Sequence, residues 1–192
     1  AEIYEEQVQR IGDLASLQEV VTSKQADETD TVGVYHALNQ RIAELVDADM
    51  SGIFLYDRDR NGLVPEIPFH GLPEALVRTI FIPLPDNSPQ RNIWDNEPYW
   101  LTNDVANEPL IDEMGLRPVA DVAGIRNTIW MPLQLKNQRI GILIINNTHN
   151  DDGFNERDIQ NLTVLATQTA VVVENMRLYQ REQRMDTELV GL

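Results

Sequence analysis

Apolar residues recur at helical spacing in two segments near the start of the chain. In residues 1–24 the apolar positions are Tyr4, Val8, Ile11, Leu14, Leu17 and Val21. In the second segment they are Val34, Leu38, Ile42, Leu45 and Val46. Steps of three and four residues place each set on one face, so the pattern predicts two amphipathic helices. Asp30 or Thr31 is suitably placed to cap the second helix.

The pattern then changes to one typical of β-strands and predicts two hairpins. Residues 50–57 and 63–70 flank a turn that ends in Asn61-Gly62, a pair that readily adopts positive φ angles. Residues 128–136 and 139–147 form the second pair, around Asn137-Gln138. Because residues 140–145 are apolar at nearly every position, both faces of that strand must be covered, which predicts a central place in the sheet.

The segment between the hairpins, residues 71–126, is longer and is punctuated by prolines. Its pattern predicts a short strand around Phe81, a helix over residues 88–95, a strand over residues 99–102 and an irregular helical stretch after Asp104. Binding residues are concentrated in such connecting segments, so we expect the functional site here.

The last predicted helix, which Asn155 opens, carries two apolar stripes. The inner stripe, suited to packing on the sheet, consists of Ile159, Leu162, Ala166, Thr169, Val173 and Met176. The outer stripe consists of Val171, Leu178, Met185, Leu189 and Leu192. Its spacing favours a partner helix in a parallel dimer, although Asn175 and Glu182 interrupt it. The alternative is that the end of the helix folds back on its own domain.

The last third of the chain resembles the GAF family. In that family a Pro-Leu strand, a hairpin and an Ile-Gly strand precede a Phe and an acidic residue, which open a long helix. The matching segments are Met131-Pro132-Leu133, Ile140-Gly141-Ile142-Leu143, Phe154-Asn155-Glu156-Arg157-Asp158, Leu165-Ala166 and Glu174-Asn175-Met176-Arg177-Leu178-Tyr179. No single segment is specific for the family, but the order and spacing of the whole set are. With the first hairpin, the resemblance covers about residues 30–180.

The resemblance implies an α+β, GAF/PAS-like fold. A central antiparallel sheet of five or six strands would carry the N- and C-terminal helices on one face and a ligand pocket on the other. We therefore divide the chain into an N-terminal signalling and dimer helix (residues 1–28), the GAF domain (29–180) and a C-terminal coiled-coil extension (181–192). A homodimer would form through the helices of residues 1–24 and 171–192.

Family membership also implies a function. Such domains sense small molecules and transmit the ligand state through a dimeric helix to an output module, such as a histidine kinase, diguanylate cyclase, phosphodiesterase or transcription regulator. We therefore expect a regulatory domain of a bacterial-type signalling protein. The alternative is a ligand-free module that serves only for dimerisation or as a spacer.

Family analogy places a ligand among the middle segment and the inner face of the sheet. The candidates for lining a pocket there are Phe81, Trp94, Trp100 and Trp130, with Asp104 and Arg126 as polar anchors. Each aromatic residue could instead be ordinary core. The guanidinium of Arg126 could pair with an anionic ligand, or with Asp121 or Asp104.

The identity of a cofactor or ligand is unknown from the sequence, but several classes are disfavoured. The cyclic-nucleotide signature of the family combines Asn-Lys with a later Phe and Asp-Glu. Here Asn146, Phe154 and Asp158 match it, whereas Asn147 and Ile159 replace the Lys and the Glu. The absence of cysteine excludes a covalently attached bilin. The turn at residues 57–62 imitates half of a calcium loop, but Pro68 stands where a bidentate Glu is needed. The three histidines lack metal-ligand spacing.

The composition of the chain disfavours several further functional classes. A formal net charge of −16 over 192 residues opposes direct nucleic-acid binding. The sequence has no run of eighteen apolar residues and no leader, so we expect neither membrane contact nor export of this segment. The lack of cysteine fits a cytoplasmic location. No phosphate-binding loop or nucleophile motif is present, so we expect no catalytic residues.

Overall fold

The computed structural model describes residues 31–191, which form a six-stranded antiparallel sheet with long helices on one face and short helices on the other. The strands are β1 (Ala48–Asp57), β2 (Gly62–His70), β3 (Ile82–Pro83), β4 (Trp100–Thr102), β5 (Thr128–Leu135) and β6 (Gln138–Thr148). The helices are α1 (Thr31–Leu45), α2 (Glu74–Val77), α3 (Pro89–Asn96), α4 (Pro109–Glu113), α5 (Arg117–Ala123) and α6 (Glu156–Val190). The predicted helix of residues 1–24 and Leu192 lie outside the described residues.

The two longest strands, β1 and β6, form the middle of the sheet, whose order is β3-β2-β1-β6-β5-β4. The apolar run of residues 140–145 is buried throughout, which confirms its central position. Gly141 faces Leu55 of β1 in the register. A Cβ atom at this position would collide with the carbonyl oxygen of Phe54, so the absence of a side chain lets the two strands lie close together.

Both predicted hairpins form, and the second has a different turn from the predicted one. Leu135 pairs with Gln138, so the two turn residues are Lys136 and Asn137, not Asn137 and Gln138. Lys136 and Asn137 have φ angles of 50° and 63°. A two-residue turn of type I′ needs left-handed backbone at both central positions, and these two residues supply it one position earlier than the sequence suggested.

The sheet separates two hydrophobic cores, because alternate residues of each central strand point to opposite faces. On one face Ile53, Leu143 and Ile145 pack against α1 and the first half of α6. On the other face Phe54 and Ile144 pack against the middle segment. Full burial of each such side chain contributes about 1.5–3 kcal/mol, so both faces are needed for the stability of the sheet.

Helix α6 begins where the sequence predicted. The side chain of Asn155 accepts a hydrogen bond from the backbone N–H of Asp158, and the Asp158 carboxylate accepts one from the backbone N–H of Asn155. The inner stripe is buried from Leu162 to Met176. From Gln180 to the end of the helix every residue is exposed, so α6 extends beyond the sheet.

Candidate functional site

An apolar cavity of about 50 Å³ lies between the sheet and the middle segment. Each surrounding element contributes to its wall, with Phe54 from β1, Phe69 from β2, Ile82 from β3, Ala120 from α5, Trp130 from β5 and Ile144 from β6. No charged side chain lines it. The cavity is therefore on the face opposite α1 and α6, which is where the resemblance implied a pocket.

Two polar side chains lie at one end of this cavity. Thr128 at the start of β5 and Asn146 near the end of β6 are paired in the register, and both are buried. The hydroxyl of Thr128 donates to Oδ1 of Asn146 over 2.5 Å. The amide nitrogen of Asn146 has the sulfur of Met50, 4.0 Å away, as its one acceptor among the described residues. A thioether is a weak acceptor, so this amide donor is poorly satisfied.

The three predicted tryptophans come together around a second, smaller cavity of about 20 Å³. The rings of Trp100 and Trp130 meet edge to face with centroids 4.8 Å apart, and Trp94 stacks on Tyr56 at 5.4 Å. One water molecule needs roughly 10–15 Å³ by this measure, so the second cavity is the size of one or two waters. Trp130 lines both cavities and forms part of the wall between them.

The other predicted site residues do not line either cavity. Phe81 lies beside the first hairpin, where the guanidinium carbon of Arg60 is 4.3 Å from its ring centroid. Asp104 is exposed and accepts a hydrogen bond from the amide of Asn107 at 2.8 Å. Arg126 is exposed, and its side chain forms no ion pair with the residues that the structure describes, including Asp104 and Asp121.

Asp104 and Arg126 nevertheless adjoin the cavity through their backbone neighbours. Val105 and Ile125 both line it, and the backbone N–H of Val105 donates to the carbonyl of Arg126 at 3.0 Å. Asn147 holds the same loop to β6, because its side chain accepts from the N–H of Arg126 at 2.7 Å and donates to the carbonyl of Gly124 at 2.9 Å. The segment from residue 104 to 126 thus forms a cover that is fastened to the sheet.

Arg117 organises the interior of this cover. Its guanidinium forms a bidentate ion pair with the carboxylate of Asp112, with N···O distances of 2.9 and 3.0 Å. It also donates to the carbonyl oxygens of Val105 and Glu108. The carboxylate of Asp112 is exposed, and its hydrogen bonds to Arg117 lower its pKa from the ordinary value. One arginine therefore joins α5 to α4 and to the turn that precedes α4.

The side chain of Asn103 connects this cover to the backbone just before the long helix. Asn103, which follows β4, accepts from the backbone N–H of Phe154 at 2.8 Å and donates to the carbonyl of Phe154 at 3.1 Å. Phe154 is buried in the core on the helix side and immediately precedes the cap of α6. Two residues after Asn103 is Val105, which lines the cavity. Residues 103–105 therefore link the cavity to Phe154, directly before the cap of the helix.

His149 forms a separate polar cluster at the end of β6. Its two ring nitrogens each lie 2.6 Å from a carboxylate oxygen, one of Asp47 and one of Asp49. A neutral imidazole has one N–H, so donation to both carboxylates requires the protonated ring. The hydrogen bonds that the ring donates to Asp49 and Asp47 accordingly raise the pKa of His149. The ring is half exposed and lies outside the cavity lining.

Residues 31–191 show no group of three or more His, Cys, Asp or Glu side chains arranged to hold a metal ion. The turn that imitates a calcium loop uses its first carboxylate internally, because Asp57 accepts from the backbone N–H groups of Asp59 and Arg60. Among the helices in this part of the chain, none is both long and apolar enough to cross a bilayer.

The sequence interpretation missed the two polar residues of the cavity. It used Asn146 only as a partial match to a nucleotide signature and did not consider Thr128. A signal was available, since Asn146 directly follows the apolar run of residues 140–145 in the same strand, and a buried amide needs partners. The amide nitrogen of Asn146 faces the sulfur of Met50, which is 96 positions away, and no local pattern shows this contact.

Comparisons with known proteins agree with this architecture. The family model described as GAF domain matches residues 28–174, which is more than half of the chain. No curated protein sequence matches the chain.

Three solved structures illustrate the likeness. The GAF domain of an Acinetobacter phosphoenolpyruvate-protein phosphotransferase is 13% identical, with 90% of this chain and 98% of that chain covered and a TM-score of 0.65. A domain described as part of a two-component sensor histidine kinase from Sinorhizobium meliloti is 22% identical, with 81% and 99% covered and a TM-score of 0.60. Free methionine-R-sulfoxide reductase from Neisseria meningitidis is 25% identical, with 86% and 88% covered and a TM-score of 0.61.

The first two likenesses concern the fold alone, and the third shows that the same fold also occurs in an enzyme. The family-model match extends from before α1 to the last buried turns of α6, and it includes all six strands. This chain belongs to the GAF domain family, which occurs in sensory and regulatory signalling proteins.

Proposed function

We propose that this GAF domain senses a small molecule and transmits the ligand state through α6 of a homodimer to an attached output module. The output module would be a histidine kinase, a diguanylate cyclase, a phosphodiesterase or a transcription regulator. The observation that carries the proposal is the juxtaposition of an apolar cavity with the start of a projecting helix. Asn103 joins the two, since it follows the strand at the edge of the cavity cover and is bonded to Phe154.

The size of the cavity suggests how occupancy would be coupled to movement. A volume of about 50 Å³ is a third of the roughly 150 Å³ that holds benzene in a well-studied engineered cavity. A ligand with a ring therefore fits only if the cover moves away from the sheet. Because Asn103 lies at the base of the cover, such a movement pulls on the backbone just before α6. A ligand that prefers the opened cover would shift the population toward it.

We propose that the domain itself is not catalytic. The reductase with the same fold shows that GAF domains are not uniformly without activity. The present chain contains no cysteine, and the notable groups around its cavity are a hydroxyl and an amide. Neither group is paired with a base that would make it a nucleophile.

Filling the cavity tests the proposal. Ala120 of α5 is buried in the cavity wall, whereas Val122 on the same helix is 77% exposed. A library of small uncharged molecules is screened by thermal shift against the wild-type protein, Ala120→Met and the control Val122→Met. We expect the screen to find molecules that stabilise the wild-type protein and the control but have no effect on Ala120→Met. Molecules that stabilise all three proteins equally would bind elsewhere and would count against the cavity.

A specific observation also favours the second candidate, a ligand-free module for dimerisation. The side chains of Val164, Val171, Leu178 and Met185 are spaced seven residues apart and are 39–64% exposed. This is the geometry of a helix that pairs with another, and it needs no ligand. A screen without any hit, together with a dimer that depends on α6, would favour this candidate over sensing.

A further inference from the structure

The polar end of the cavity indicates a ligand class. We infer that the cavity accepts a small, uncharged, mainly apolar molecule that carries one hydrogen-bond acceptor of the carbonyl type, which binds the side-chain amide of Asn146. This inference rests on the proposed function, since it names the class of molecule that the same cavity would sense.

The absence of charge in the wall excludes ionic ligands. All of the lining side chains are apolar except Thr128 and Asn146, and neither of these ionises. An ion transferred into such surroundings without a partner loses its hydration at a cost of many kcal/mol. Among the charged residues that adjoin lining residues in the sequence, Asp104 and Arg126 are exposed, and the guanidinium of Arg117 already has a carboxylate partner. A carboxylate, phosphate or ammonium compound is therefore a poor occupant.

The hydrogen-bonding state of Asn146 selects an acceptor over a donor. Its Oδ1 atom is already bonded to the hydroxyl of Thr128, whereas its nitrogen contacts only a thioether at 4.0 Å. The reverse orientation of the amide would place its oxygen against the sulfur of Met50, two acceptors facing each other. The unsatisfied hydrogen-bonding group at this end of the cavity is thus a side-chain N–H of Asn146. Because Asn146 is 5% exposed, bulk water does not satisfy this donor. A ligand carbonyl would satisfy it.

The remaining wall describes the body of the ligand. Phe54, Phe69, Trp130 and Ile144 surround the space with aromatic and branched apolar groups. Binding buries apolar ligand surface against them, and a single polar contact fixes the orientation. A ketone, ester or amide with a short hydrocarbon body meets both requirements. A hydrocarbon of the same shape meets only the first.

The experiment compares cyclopentanone with cyclopentane. The full chain, labelled with ¹⁵N, is titrated with each compound, and dissociation constants are taken from shifts of the side-chain and backbone amide signals. We expect both to bind and the ketone to bind about two- to tenfold more tightly, the range for one net hydrogen bond. We also expect the ketone, and not the hydrocarbon, to move the side-chain amide signal of Asn146 downfield.

Asn146→Leu removes the amide and keeps the number and the branching of the side-chain heavy atoms. In this variant the preference for the ketone should disappear while cyclopentane still binds. A preference that survives in Asn146→Leu, or equal affinities in the wild-type protein, would overturn the inference and leave a sensing cavity intact. If neither compound moves the signals of cavity residues, both the inference and the proposed function fail. Should Asn146→Leu not fold, the wild-type shift of the Asn146 side-chain signal decides alone.

Discussion

At the scale of single residues, side chains that leave regular patterns carry most of the chemistry of this domain. Asn103, Asn146 and Asn147 each use a side-chain amide to join segments that are distant in the sequence. An amide both donates and accepts, so one residue can hold a backbone in two directions. The sequence shows that these residues are polar and close to strand ends, but it does not show their partners.

His149 provides a pH-dependent prediction at this scale. Its pKa is raised in the folded protein above the value near 6.5 of an unperturbed histidine. Folding therefore favours the protonated ring, and its stabilising contribution is complete below the unfolded pKa and is lost as the pH rises through the folded pKa. We expect His149→Gln to lower the urea midpoint at pH 5.5 and to have no effect at high pH.

Two further variants test whether the carboxylates of Asp47 and Asp49 raise the pKa of His149. In Asp47→Asn and Asp49→Asn the ring of His149 keeps one carboxylate partner, so NMR titration should give a pKa for His149 below that of the wild-type protein. The double variant should bring it lower still. A His149 pKa that is the same in all four proteins would show that the carboxylates do not hold the proton.

At the scale of secondary-structure elements, the sequence predicted the long strands and helices well and the middle segment coarsely. Residues 140–145 lie in a central strand, as their apolar run required, and the inner stripe of α6 is buried. The strand near Phe81 is only Ile82–Pro83, and the helical stretch after Asp104 consists of a 3₁₀ turn and two short helices. Short elements depend on tertiary contacts such as those of Arg117, which periodicity does not encode.

The start of α6 allows a prediction at this scale. Asn155 and Asp158 exchange two hydrogen bonds there, and they satisfy two N–H groups that the helix itself leaves unpaired. Replacement Asn155→Ala should lower the free energy of unfolding by about 0.5–2 kcal/mol, because one cap is lost. The measurement is urea denaturation followed by circular dichroism. The control Asn155→Asp keeps a capping oxygen, so a loss of equal size in the control would contradict this explanation.

At the scale of the whole molecule, the resemblance predicted the layered architecture and the face of the sheet that carries the cavity, whereas the lining and the polarity of the cavity came only from the structure. Strands β1 and β6 are about 90 residues apart in the sequence and are neighbours in the sheet. That pairing sets which faces meet the middle segment, and therefore which side chains line the cavity. Of the six predicted site residues, only Trp130 lines the apolar cavity that Thr128 and Asn146 also line. The proposed dimer and the proposed domain limits remain predictions.

The dimer can be tested through the outer stripe of α6. Leu178 and Met185 are 47% and 64% exposed, and no part of the described chain covers them. The double variant Leu178→Glu and Met185→Glu places carboxylates where two helices would meet, so we expect a monomer in sedimentation velocity with an unchanged far-ultraviolet spectrum. The control Gln180→Glu and Thr187→Glu adds the same charge on another face of α6. Equal sedimentation of the two variants would argue against pairing along this stripe.

The exposed end of α6 also has a mechanical consequence. Residues 180–190 continue the helix with every residue exposed, over about 16 Å at 1.5 Å per residue. The complete helix of 35 residues measures about 52 Å. If its first turn acts as a pivot, a tilt of about 5° displaces the far end by roughly 4–5 Å, close to one helical pitch. In the function that we propose, the helix would thus act as a lever, whose short arm is the backbone held by Asn103.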